Sequence, residues 1–299
     1  MRVPRRAVLA AVGVAALAAC SSNNPIATSS SSGGSGLVVG SQQYYSNEII
    51  AECYAQMLEA AGVTVTRQFE IGQREVYIDE MTSGKIDLIP EYSGNLLQYF
   101  NKDAQVTDED GVREALVKAL PPSLHVLDQA AAGDQDSYTV TRASATEHSM
   151  STIADLAAFG GAITVAANSE FASRPYGPTG LKKLYGVDAT VLGVEDSGGP
   201  LTVKALVDGK VQAADIYTSD PSIAANDLVV LADPKHLILA QNVTPLATSR
   251  VDAAAGAIIG KVSARLSQQE LQSLNAQSVT KQLKAADIAR SWLHAQSLI

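Results

Sequence analysis

Two ten-residue segments constrain this chain more than any other feature. Residues 83–92 read Ser-Gly-Lys-Ile-Asp-Leu-Ile-Pro-Glu-Tyr, and residues 208–217 read Asp-Gly-Lys-Val-Gln-Ala-Ala-Asp-Ile-Tyr. They align without a gap, share Gly-Lys-aliphatic, and each closes on a tyrosine at the same distance. Each reads as a helix ended by glycine and followed by a strand. The flanking pattern repeats the layout. Strands are predicted over 37–40, 63–69 and 86–89, with helices over 47–61 and 76–83. Strands return over 162–166, 189–192 and 211–216, with helices over 180–185 and 201–207. Helix–glycine–strand junctions are common enough to arise twice by chance, but the matched tyrosine is harder to dismiss. Strand–helix alternation implies α/β units with mainly parallel sheets. Two such units in one chain predict a two-lobe, hinged clamshell. Ligands of open α/β sheets bind beyond the carboxyl ends of the strands, where Tyr92 and Tyr217 stand. The stretch 263–298 is predicted helical and is expected to pack back on the first lobe.

The N-terminus adds a location. Arg2, Arg5 and Arg6 precede an apolar run, 7–19, that ends in Leu17-Ala18-Ala19-Cys20. A basic start, an apolar core and small residues before a cleavage point describe a signal peptide. The core is shorter than the roughly 20 residues a bilayer-spanning helix needs. Leu-Ala-Ala-Cys resembles a bacterial lipobox, which implies a lipoprotein signal peptide and lipobox over residues 1–20, with Cys20 lipidated as the new N-terminus and membrane anchor; the alternative is an ordinary secretory signal cut nearby. The Arg5-Arg6 pair leaves export by either the general or the twin-arginine route open. Residues 21–36 are dominated by Ser, Asn, Gly and Thr, too polar to offset the entropy of ordering, and read as a tether. Structure is expected from Leu37. If Cys20 carries lipid, Cys53 is the only other thiol, so no intrachain disulfide is available; its place in an apolar-periodic helix predicts a buried structural cysteine. No second apolar run is long enough to span a membrane, so any transport role is capture rather than passage. A net charge of −9 argues against a nucleic-acid partner.

Ten of the aromatic residues are tyrosines, and Tyr92, Tyr138 and Tyr217 fall at predicted strand ends or loops. A quaternary ammonium has no N–H to donate, so aromatic faces attract it at about 0.5–2 kcal/mol per ring with little desolvation cost. A cage of rings is the receptor such a cation needs, although any one tyrosine can equally pack at a lobe surface with its hydroxyl in water. Arg174, in Glu170-Phe171-Ala172-Ser173-Arg174-Pro175, follows a predicted strand and can pair bidentately with a ligand carboxylate. The strongest enzyme-like signal is Glu195-Asp196-Ser197-Gly198-Gly199-Pro200, similar to the nucleophile segment of trypsin-like proteases. That chemistry needs a histidine base oriented by an acid. None of His125, His148, His236 and His294 stands in that family's sequence context, and the α/β alternation is not a double β-barrel. Asp196-Ser197 ahead of the predicted helix 201–207 is better read as a helix entry with a capping residue. No Cys/His cluster has metal-ligand spacing, and neither a metal nor a cofactor is expected.

Four further blocks carry a specific resemblance. They are Val38-Val39-Gly40-Ser41 with Asn47-Glu48, Ile86 through Gly94 with its Glu91-Tyr92-Ser93-Gly94, Ser169 through Pro175, and Ile216-Tyr217-Thr218-Ser219-Asp220. Together they resemble the osmoprotectant (glycine betaine/carnitine/choline) substrate-binding proteins of ABC importers, of the type-II periplasmic-binding-protein fold. The resemblance implies an inter-lobe cage from Tyr92, Tyr138 and Tyr217, a carboxylate-binding Arg174, and a backbone carbonyl from Asp136. It departs at three positions: Gln42 stands where a lysine can assist the carboxylate, Asn95 where threonine often does, and Gln241 near a fourth cage tyrosine. Losing one cation and one π face widens the ligand range to choline, another quaternary amine, or a larger polar or aromatic molecule. The implied partners are a small quaternary amine or zwitterion and an ABC permease with its ATPase subunits, with the binding protein monomeric; presentation to a sensor receptor is the other role open to such a lipoprotein. One lobe is expected over 37–136 plus 240–299 and the other over 137–239, with Trp292 far from the cleft.

Overall fold

The computed structural model describes residues 36–299; Cys20, the leader, and all but the last residue of the predicted tether lie outside the described residues. The chain begins with β1 (Leu37–Gly40), α1 (Tyr45–Ala60), β2 (Val65–Gln68), α2 (Arg74–Thr82), β3 (Leu88–Tyr92), α3 (Ser93–Phe100), α4 (Glu109–Ala119) and β4 (Leu124–Val126). It continues with β5 (Tyr138–Thr141), α5 (Arg142–Glu147), β6 (Ile163–Ala167), α6 (Pro178–Tyr185), β7 (Ala189–Gly193), α7 (Pro200–Val207), β8 (Ala213–Asp215), α8 (Ser222–Ala225) and β9 (Leu228–Val230). It ends with β10 (Val243–Thr248), α9 (Ala253–Arg265), α10 (Gln268–Lys281) and α11 (Ala285–Ala295).

These strands form two five-stranded sheets of the same plan, ordered β2-β1-β3-β10-β4 and β7-β6-β8-β5-β9. In each, three strands run parallel and the fourth position is filled by a strand antiparallel to the third, β10 against β3 and β5 against β8. The doubled layout read from the sequence is therefore a doubled sheet. The antiparallel strand that completes the first sheet comes from the far end of the chain, which no local pattern marks.

Local chemistry sets the element ends. Pro178 and Pro200 open α6 and α7 at a position that has no N–H to lose, and Gly186 closes α6 in the left-handed conformation. Asp108, Asp252 and Ser267 cap α4, α9 and α10 by accepting a backbone N–H. β3 begins two residues later than the alternation predicts and runs through Pro90 to Tyr92. Proline usually stops a strand, but Pro90 faces Pro245 across a ladder position whose flanking pairs carry the hydrogen bonds, so neither ring owes a donor. All five residues of β3 are buried, as a central strand with both faces covered requires.

Helix α1 buries Ile49, Ile50, Cys53, Tyr54, Met57 and Leu58 in a core shared with α9, α10 and α11. The C-terminal helices thus pack on the first sheet, as expected, although α9 starts ten residues before the predicted helical stretch. Cys53 is 1 % exposed, and burial pushes its thiol far up, as a structural cysteine should be. The other face of the first sheet is covered by a core from α2, α3 and α4. The second sheet has its own two cores.

The chain passes from one sheet to the other along 127–137 and back along 231–242. The two passages touch at Gly133 and Asn242, an antiparallel bridge, with Ala132 and Gln241 carbonyls accepting from Val243 and Asp134 at 2.9 and 3.3 Å. A Cβ on Gly133 would lie 2.7 Å from the Gln241 carbonyl oxygen, so only glycine permits this approach.

Candidate functional site

Between the two sheets lies a cleft lined from both sides. The first-sheet side supplies Gln42, Tyr44, Arg74, Tyr92 and Asn95, and the second supplies Glu170, Phe171, Arg174, Tyr176, Asp215 and Tyr217; Asp134 and Asp136 come from the passage between them. The cavity volume is about 30 Å³, room for one or two waters. A quaternary amine needs this cleft to open.

Both expected tyrosines, Tyr92 and Tyr217, line this cleft, and a third ring, Tyr44, packs against each of them. Tyr92 ends β3, which turns into α3 with no intervening loop, so its side chain stands at the sheet's carboxyl edge beside Asn95 in the first helical turn. Tyr44, just before α1, donates its hydroxyl to that of Tyr92, and its ring lies 6.3 Å from Tyr92 and 5.2 Å, edge-on, from Tyr217. Both distances fall in the range of attractive aromatic pairs. Tyr176 and Phe171, 5.7 Å apart, extend the aromatic wall on the second-sheet side. Burial raises the hydroxyl pKa of Tyr44, Tyr92, Tyr176 and Tyr217 above the ordinary tyrosine value, so all four remain neutral.

Tyr138 does not line this cleft. It is 1 % exposed, packs edge-on against Phe171 at 5.8 Å, and donates its hydroxyl to the Tyr176 carbonyl at 2.8 Å. It stands behind the wall and holds in place the rings that face the cleft. Gln241 also stands one layer back. Its amide clamps Asn95 from both ends, accepting from the Asn95 N–H at 3.0 Å and donating to Asn95 Oδ1 at 2.6 Å. With its oxygen so occupied, Asn95 turns Nδ2 outward to Asp136 Oδ2 at 2.6 Å. The carboxylate of Asp136, and not only its backbone, therefore reaches the cleft.

Two guanidinium groups border the site, and both are already paired. Arg74, at the start of α2, binds Glu91 bidentately at 2.7 and 2.7 Å; Tyr77 and the Tyr92 N–H complete the Glu91 shell, and both charged residues are buried. Arg174, after the 3-10 turn Ser169–Ser173, grips Glu75 of α2 across the cleft at 2.9 and 3.1 Å. Tyr45 to Asp220 at 2.7 Å and Gln73 to Ser197 at 3.2 Å also bridge the two sides.

Four carboxylates face these two cations. Burial pushes Asp134 up to about 7, although it accepts from the Ser219 N–H at 3.0 Å. Burial and the neighbouring Asp136 charge raise Asp215 well above the usual carboxylate range, opposed by the Ser137 N–H at 3.1 Å. Burial also raises Glu170.

Sequence reasoning placed Gln42, Tyr92, Asn95, Asp136, Arg174 and Tyr217 here and missed Tyr44, Arg74, Asp134, Tyr176 and Asp215. Tyr176 had a signal, lying two residues beyond Arg174 in the same loop. The protease-like run is a helix start: Asp196 accepts from the Leu201 N–H and the Thr202 hydroxyl, both at 2.6 Å. Ser197 accepts from Gln73 and Asn168 side chains, and among the described residues no histidine lines the cleft. Gly198, φ +76°, passes so close to strand β8 that a Cβ would meet the Asp215 carbonyl at 2.9 Å. Trp292 packs in the α1 core and does not line the cleft.

Comparison with known proteins bears on this geometry. A family model described as the substrate binding domain of ABC-type glycine betaine transport systems matches residues 35–295. The glycine betaine-binding protein YehZ of Escherichia coli K12 is 27% identical over 262 residues, 82% of this chain and 85% of its own. The crystal structure of a glycine betaine/carnitine/choline ABC transporter protein superposes with a TM-score of 0.70 at 23% identity, covering 88% of this chain and 99% of that one. An ABC-transporter choline binding protein in complex with choline superposes at 0.62 with 14% identity, covering 89% and 90%. The fold is the two-lobe, type-II periplasmic-binding-protein fold.

Proposed function

Because the chain belongs to the family of substrate-binding domains of ABC-type glycine betaine transport systems, we propose that its inter-lobe cleft captures a quaternary-ammonium osmolyte such as choline, glycine betaine or carnitine. The family is one of extracytoplasmic binding proteins rather than enzymes, and such proteins hand their ligand to a membrane permease driven by ATPase subunits. The observation that carries the ligand reading is the convergence of Tyr44, Tyr92 and Tyr217 from opposite sheets. Ring faces are what a cation without N–H groups requires. Here the rings touch one another, so ligand enters an opened cleft and parts the Tyr44–Tyr92 hydroxyl contact as the lobes close around it.

We assign lobe I to 37–136 plus 240–299 and lobe II to 137–239, with the bridged passages at Gly133 and Asn242 as the hinge. Arg174–Glu75, Tyr45–Asp220 and Gln73–Ser197 latch the closed form. Lipid attachment at Cys20 would tether a monomeric binding protein beside its permease. Tyr138, behind Tyr176, acts as a positioning residue for the aromatic wall.

The test is calorimetric titration of choline, glycine betaine and carnitine into full-length protein freed of bound ligand by unfolding and refolding. Saturable binding of at least one is expected. Tyr217→Ala should weaken it by about 2- to 30-fold, one ring's worth of attraction. Binding indifferent to this change would sink the cage.

A further inference from the structure

Asp136 and Asp215 are 6 % and 5 % exposed, line the same cleft, and have no ion-pair partner among the described residues; Asp215 accepts from the N–H of Ser137, the residue next to Asp136. Asn95 and the Ser137 N–H give each one neutral donor. Buried carboxylates are ordinarily matched by a cation, because desolvating an unpaired charge is costly. Both guanidinium groups of the cleft are spoken for, Arg74 by Glu91 and Arg174 by Glu75. Two cations against four carboxylates leave no positive group for a ligand carboxylate and a surplus of negative ones.

A second observation points to what approaches this pair. Gln42 lines the same cleft, is 5 % exposed, and its Nε2 has no hydrogen-bond partner. A buried amide donor left open calls for an acceptor on a ligand. Gln42 is neutral, so that acceptor need carry no charge; a hydroxyl can accept from Gln42 and donate to a carboxylate.

Building on the capture reading, we propose that Asp136, Asp215 and Gln42 form a subsite selecting a hydroxyl-bearing organic cation without a carboxylate, an amino-alcohol cation rather than a betaine-type zwitterion. The tyrosine faces take the alkylated nitrogen, the acid pair neutralises it and accepts from its hydroxyl, and Gln42 donates to the same oxygen. A zwitterion brings a further carboxylate against groups that lack a free counter-charge.

The cleft groups around the acid pair are Glu170, Arg174 and Tyr176 from the stretch after β6, Tyr217 beyond β8, Arg74 on α2, and Asp134 in the passage. Burial and the neighbouring charge raise the Asp215 carboxyl, and a bound cation favours its ionised form, so affinity rises with pH.

The experiment titrates ligand-free full-length protein with choline, tetramethylammonium and glycine betaine at about pH 6 and about pH 8. Choline is expected to bind at least about tenfold more tightly than either other probe, and to tighten with pH while betaine does not. Asp215→Asn should narrow the choline–betaine gap. Should that variant not fold, Gln42→Ala should weaken choline severalfold and leave tetramethylammonium unchanged. Betaine binding as tightly as choline overturns the subsite while leaving capture intact, and tetramethylammonium equal to choline removes the hydroxyl from it. If none of the three binds, the capture of quaternary amines fails and the subsite with it.

Discussion

The ends of β3 and β8 occupy matching places in the two sheets, and each offers the cleft a tyrosine and the protein a buried acid. Their electrostatics are opposite. Glu91 is fully buried and fully answered by Arg74, Tyr77 and a backbone N–H. Asp215 has one backbone donor and another carboxylate for company. An acid neutralised from within is part of the scaffold, whereas an acid left for something else to neutralise is part of a site. The duplicated layout thus carries one structural and one functional carboxylate at related positions.

The sharpest break of this contrast is on the β3 side. Arg74→Ala leaves Glu91 buried and unpaired, and should cost about 3–5 kcal/mol of stability by urea unfolding. Asp215→Asn removes a buried carboxyl that no cation pairs, so the unfolding midpoint should hold or rise. Equal destabilisation by the two substitutions would erase the distinction.

Next in size is the pH dependence of the ligand-free protein. Asp134 titrates near 7 when folded because burial disfavours its charge, and near about 3.9 when unfolded. Between these values the folded state holds the extra proton. The stabilisation is complete below about pH 4, declines as pH rises and is gone above about pH 7. Thermal unfolding midpoints should therefore fall from pH 5 to pH 8 more in the wild type than in Asp134→Asn. The Asp215 shift has the same sign.

The smallest expected effect tests the latch. Glu75 is half exposed, so Glu75→Ala should change stability by no more than about 1 kcal/mol. Because it also frees the Arg174 guanidinium, it should improve glycine betaine relative to choline in a competition titration. An unchanged ratio would mean that Arg174 is out of the ligand's reach.

Much of the site was legible because it sits at strand ends, and strand ends are marked by local pattern. Gly84-Lys85 and Gly209-Lys210 announced the strands that deliver Tyr92 and Tyr217, and the loop after β6 announced Arg174. What failed was side-chain direction. Tyr138 and Gln241 are near the cleft along the chain, but one turns to Phe171 and the other to Asn95. That choice depends on neighbours distant in sequence. Tyr44 and Arg74 escaped notice for the complementary reason: nothing in their own segments marks them until β3 and β8 bring their partners alongside.

By itself, then, the sequence determined the α/β class, the two related units, the tyrosine at the mouth of each, and a net charge of −9. Periodicity, glycine stops and aromatic content are local properties, readable residue by residue. The tertiary structure alone decided that β10 completes the first sheet, that three tyrosine rings meet, and which carboxylates are neutralised. Those outcomes turn on which groups lie within a few ångströms of one another in a low-dielectric interior, where one arginine more or less changes an acid from scaffold to site.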